Sequence, residues 1–68
     1  MKPEELFGLN AGKVWKVLNN TKKPMTVQEI MKVGGIKKDD AMSGLGWLGR
    51  EGKISIENQE KSMLFKLV

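Results

Sequence analysis

The sequence predicts a small α+β domain in which three helices precede a C-terminal β-hairpin. Three observations carry that expectation. Apolar residues recur at helical spacing in three separate stretches, and a capping box and two glycine stops mark the ends of those stretches. Beyond Gly52 the apolar period changes from about 3.6 residues to 2. The expected order is helix, short strand, helix, helix, strand, turn, strand. It forms one domain over residues 1–68, with residues 1–9 as an N-terminal arm.

Helix one is read from Asn10 to Asn20, where Ala11, Val14, Trp15, Val17 and Leu18 form a continuous apolar stripe. Asn10 is expected to cap it, Trp15 to enter the core, and Lys13 and Lys16 to lie opposite the stripe. Pro24 then breaks the pattern, because it lacks an amide proton and drives Lys23 out of the helical region. A short extended piece around Met25 follows, a candidate third strand.

Thr26-Val27-Gln28-Glu29 is a capping box that opens helix two, with Val27, Ile30 and Met31 facing inward. Gly34-Gly35 ends it, since glycine enters the left-handed region without a Cβ clash. Ile36 is placed to staple onto Ala41 across a cap near Lys37, and Asp39 and Asp40 suit the positive end of the helix dipole. Helix three therefore turns Ala41, Leu45 and Leu48 inward and runs to Gly52. Next, Ile54 and Ile56 alternate with Lys53, Ser55 and Glu57, Asn58 to Lys61 reads as a turn, and Met63, Phe65 and Leu67 return as the second strand. A lone hairpin is marginal in water, so its apolar side must cover the helices.

Composition narrows the function. Twelve Lys and Arg against eight Asp and Glu give a net charge of +4 over 68 residues. Eighteen Leu, Ile, Val and Phe make about a quarter of the chain, above the roughly 20% below which chains stay disordered. The core is still thin, because a domain of this size buries only about 60% of its unfolded surface; a second subunit is one remedy. With no Cys and no His, disulfides, thiolate zinc sites and the commonest general base are all absent. The expectation is a non-enzymatic binding module with no cofactor, no metal and no small-molecule site. No apolar run exceeds three residues, so no membrane span or signal peptide is expected and the cytoplasm is the expected compartment.

In this order of elements, the passage Leu45-Gly46-Trp47-Leu48-Gly49-Arg50-Glu51-Gly52-Lys53-Ile54 resembles the step from recognition helix to first wing strand in winged helix-turn-helix domains. The likeness runs from Asn10 to Val68 and is nearest to a small bacterial and archaeal winged-helix family of unknown function. It implies a fold but no particular ligand. By resemblance, helix three would enter the major groove of double-stranded DNA and present Lys37, Lys38, Asp39, Ser43 and Arg50, while Lys22 and Lys23 hold phosphate.

Two motifs are set aside. Gly44-Leu45-Gly46-Trp47-Leu48-Gly49 spells a dinucleotide fingerprint, but it lies late in a helix rather than between a strand and a helix. Gly8 to Val14 spells a P-loop one spacer short, with Val where Mg²⁺ binding needs Ser or Thr. The glycines of helix three still cost about 1 kcal/mol each relative to Ala. Gly44 and Gly49 flank the inward face, where close helix approach explains them, while Gly46 and Trp47 leave an outer patch for a close-packed partner or a nucleic-acid backbone; Trp47 either folds over the wing strands as a partly covered core residue or anchors a protein interface.

Charge divides the functional readings. Residues 37 to 52 carry Lys37, Lys38 and Arg50 against Asp39, Asp40 and Glu51, and so net zero. The expected wing turn from Glu57 to Lys61 nets −1, whereas DNA binding draws most of its non-specific affinity from Lys and Arg. One expectation is a transcriptional regulator that binds double-stranded DNA as a homodimer through Lys22, Lys23, Lys37, Lys38, Ser43 and Arg50. The other is a protein-interaction or dimerisation module that uses Gly46 and Trp47.

Overall fold

The computed structural model describes residues 1–68. It contains α1 (Pro3–Thr21), α2 (Val27–Gly34), α3 (Lys38–Arg50), β1 (Ile54–Gln59) and β2 (Ser62–Leu67). The two strands pair antiparallel with Ile54 opposite Leu67 and Gln59 opposite Ser62. Glu60-Lys61 alone makes the turn, so the hairpin is tighter than the expected Asn58–Lys61 connection.

The first helix starts seven residues before Asn10, which overturns both the separate 1–9 arm and the Asn10 cap. Pro3 occupies the first turn, where its missing N–H has no partner to lose, and Glu4 and Glu5 favour the positive helix end. Asn10 is instead buried in mid-helix at 3% exposure. Trp15 is also displaced from its expected place and is 42% exposed. It follows Val14 by about 100°, and Val14, at the centre of the buried face, already occupies the core direction.

The piece before α2 contracts to one bridge rather than a strand. Met25 N–H donates to the Phe65 carbonyl at 2.9 Å and Phe65 N–H returns at 2.8 Å. Pro24 cannot extend the ladder on one side, and on the other the Thr26 cap turns the chain into α2. That cap is the expected box: the Glu29 amide donates to Thr26 Oγ1 at 3.2 Å, and the Thr26 amide donates to Glu29 Oε1 at 2.9 Å. The Thr26 amide holds the Glu29 carboxyl below its ordinary value, with smaller help from the Thr26 hydroxyl and Lys23 against a desolvation penalty. Gly35 closes α2 at φ 62°, and its amide donates to the Met31 carbonyl.

Eleven apolar side chains form the core: Ala11, Val14, Val17 and Leu18 from α1, Ile30 from α2, Ala41, Leu45 and Leu48 from α3, together with Met25, Ile36 and Phe65. Helices α1 and α3 approach so closely that backbone itself excludes a side chain, and α2 meets α1 almost as closely, where a Cβ on Gly34 would lie 2.8 Å from Val17 Cγ2. A Cβ on Gly44 would lie 2.6 Å from the Asn10 carbonyl oxygen. Gly49 makes no such approach; its Cβ direction is open, contrary to the sequence expectation.

Candidate interaction surface

Around the helical wheel, α3 presents three sides. Ala41, Gly44, Leu45 and Leu48 face the core. Ser43 and Trp47 lie on the side towards α1, and Met42, Gly46 and Gly49 lie about 80–140° from Ala41, on the side towards the hairpin.

Ser43 is therefore not available on an outer reading face. Its hydroxyl accepts from Asn10 Nδ2 at 2.9 Å and donates to the Asp40 carbonyl at 3.0 Å, which ties α1 to α3. Trp47 is half-buried against the core and packs on Phe7, with ring centroids 6.3 Å apart and an interplanar angle of 41°. The expected patch of Gly46 with Trp47 is thus divided, because the two lie about 100° apart and face different neighbours. An N-terminal arm over residues 1–9 would not place Phe7 against Trp47; the extension of α1 does.

The expected cationic residues are exposed but dispersed. Lys22 caps α1 in the left-handed region at φ 55°, and with Lys23 and Lys66 it lines a pocket that includes no α3 residue. Lys37 precedes α3 and Lys38 opens it, whereas Arg50 ends it about 18 Å away at 1.5 Å per residue. Lys38 shares a shallow groove with Gln28 of α2 and Lys61 of the hairpin turn. The structure does not bring Lys22 and Lys23 together with Lys38 and Arg50.

What it does bring together is apolar. A groove of about 490 Å³ runs between α3 and the hairpin, with Leu45, Ile54 and Phe65 as its floor and Met42, Ile56 and Met63 on its walls. The wall residues are 48%, 53% and 49% exposed. Gly46 and Gly49 open its helical side, and no atom lies within 4 Å of a Cβ built on either. Ile56 and Met63 were legible as strand residues on the inward side, but Ile56 lies on the edge strand opposite the buried Phe65, and Met63 lies one pair from the turn, so both stay half-exposed. Met42 was detectable from its angle beside Ala41.

The profile of one domain family matches residues 1–67, nearly the whole chain, and it describes a winged helix-turn-helix domain, DUF2582. The chain belongs to this family. Similar proteins include the uncharacterized protein MJ1608 of Methanocaldococcus jannaschii, 30% identical over 62 residues that span 90% of this chain and 89% of that one. The solution NMR structure of BT2368 from Bacteroides thetaiotaomicron superposes with a TM-score of 0.88 at 27% identity, covering 97% of this chain and 79% of that one. Within this winged-helix frame, α3 stands in the recognition-helix position and β1–β2 form the wing. The apolar groove lies between them.

Proposed function

We propose that this DUF2582 domain is a non-enzymatic protein-docking module whose α3–wing groove takes an apolar segment of a partner protein flanked by acidic residues. The observation that supports this reading is the character of the α3 face next to the wing. Between Lys38 and Arg50 it offers Asp39, Met42, Gly46 and Gly49; beyond the Asp39 carboxylate in the first turn, none of them carries a donor or acceptor for a base edge. Covering the half-exposed Met42, Ile56 and Met63 contributes about 3 kcal/mol gross at roughly 1 kcal/mol each. The open glycines let a partner backbone approach α3 closely. Lys38 and Lys61 flank the groove and take part in neither of the two ion pairs, Lys53–Glu51 and Lys66–Glu57, so acidic flanks on the partner meet free cations.

A second reading, double-stranded DNA binding in transcriptional regulation, has one specific support. Lys38 and Lys61 converge with Gln28 near the start of α2, where a phosphate backbone can lie. One titration separates the two. Amide shifts are followed with a short amphipathic peptide bearing Glu flanks, with the same peptide bearing Lys flanks, and with random-sequence duplex at about 50 mM and about 200 mM salt. The docking reading expects the Glu-flanked peptide to move Met42, Gly46, Ile56 and Met63, and Gly46→Leu to remove the effect without unfolding the protein. If duplex moves these amides with steep salt dependence while both peptides leave them unmoved, the DNA reading replaces it.

A further inference from the structure

We propose that the outer face of α1 is a self-complementary surface on which two copies of this chain pair antiparallel. This inference is independent of the α3–wing groove and uses none of its residues. Glu4, Gly8, Gly12 and Lys16 recur every fourth residue, so they form one row along the solvent face of α1. Reversed about its midpoint near Asn10, the row sets Glu4 against Lys16 of a second copy and Gly8 against Gly12. The adjoining row Glu5, Leu9, Lys13 has the same polarity, acidic, apolar, then basic, with its centre one residue earlier at Leu9. A two-fold axis demands this antisymmetry, because an isologous interface must be complementary to itself.

The isolated chain has no evident need of the two glycines or of the two lysines. A Cβ on Gly8 or Gly12 meets nothing within 4 Å, yet each glycine lowers helix stability by about 1 kcal/mol relative to Ala. Close approach of a second helix backbone gives them a purpose. None of Glu4, Glu5, Lys13 and Lys16 joins either intramolecular ion pair. The helix dipole accounts for the two glutamates, but Lys13 and Lys16 precede the last turn of α1, which holds no basic residue. Exposed Leu9 and Trp15 lie on either side of the glycine row and would be covered by the partner helix.

The size of the contact sets its strength. A 19-residue helix is about 28 Å long, and a strip about 10 Å wide along it is smaller than the roughly 800 Å² per partner of a standard interface. A weak dimer, dissociating at roughly high-micromolar to millimolar concentration, is expected, so a dilute sample will be largely monomeric.

Sedimentation equilibrium of the full chain from micromolar to millimolar concentration tests the proposal, with circular dichroism as the check on folding. The wild type is expected to dimerise, and Gly12→Leu, which has open space in the monomer, to remain monomeric. Glu4→Lys and Lys16→Glu should each weaken the dimer about tenfold, because each turns two symmetric attractions into repulsions. The double reversal Glu4→Lys with Lys16→Glu should restore it, an outcome that a merely structural role of either residue would not produce. A wild type monomeric at millimolar concentration overturns the proposal. So does a dimer that survives Gly12→Leu but is lost on Gly46→Leu, which would place self-association in the α3–wing groove.

Discussion

Replacing Gly44 by Ala places a methyl group where α1 and α3 are closest. The new Cβ would lie 2.6 Å from the Asn10 carbonyl oxygen and 2.8 Å from both its carbonyl carbon and Val14 Cγ2. Ordinary contact begins at 3.4 Å, so the helices must separate by about 0.6–0.8 Å, and the nearest obstacle is backbone, which cannot rotate away. A gap of that order forfeits a quarter to a half of the dispersion energy of each contact it opens. It also stretches the 2.9 Å Asn10–Ser43 hydrogen bond, which is worth about 1 kcal/mol. Overpacking costs about 1–3 kcal/mol, and the helix preference of Ala over Gly returns about 1 kcal/mol. The expected net loss is about 2 kcal/mol, or roughly 8–16 °C in melting temperature for a domain of this size. Gly46→Ala and Gly49→Ala provide the internal control, since both Cβ directions are open. Each should raise stability by up to about 1 kcal/mol. Thermal and urea unfolding by circular dichroism measure all three. A Gly44→Ala variant that melts at or above the wild type would refute the close approach of α1 and α3.

Three further outcomes are expected. Ser43→Ala leaves the buried Asn10 amide with only a 3.5 Å contact to Asp40 and should cost about 1–2 kcal/mol in urea unfolding, while unchanged stability would show that this amide finds another partner. Thr26→Pro fits the local φ of −77° but removes both donors to Glu29, so the Glu29 carboxyl, titrated by carbon-detected NMR, should rise from its lowered value to the ordinary one. The lowered native value means that the Glu29 contribution is full above the ordinary Glu range and is lost as pH falls through the native value. The stability difference between wild type and Thr26→Pro should therefore narrow in acid, and a pH-independent difference would count against this assignment. Lys22→Gly should stabilise by up to about 1 kcal/mol, because Lys22 holds φ 55° at the end of α1; a loss in thermal unfolding would argue against strain there.

Elements bounded by local chemistry were legible from the residues alone. The Thr26 box, the Gly35 stop, the inward face of α3 and the hairpin each follow from side-chain type and short-range spacing. The start of α1 was not, because Gly8 and the absence of a capping side chain on Lys2 conceal a helix that gains its support from Phe7 on Trp47 and Asn10 on Ser43. Those contacts lie 40 and 33 positions apart in the chain, beyond the reach of any periodicity.

The candidate surfaces divide in the same way. Charge and composition were legible from residue identity alone: residues 37 to 52 net zero, and the chain holds neither Cys nor His. Only the packing decided which side of α3 each residue faces. It withdrew Ser43 into the α1 contact, separated Gly46 from Trp47 and dispersed the lysines. It also left Met42, Ile56 and Met63 around one groove, with Ile56 on the edge strand and Met63 beside the turn. Local chain energetics select each helix and strand, whereas exposure depends on which neighbours come to cover each residue, a property that exists only once all the elements have packed.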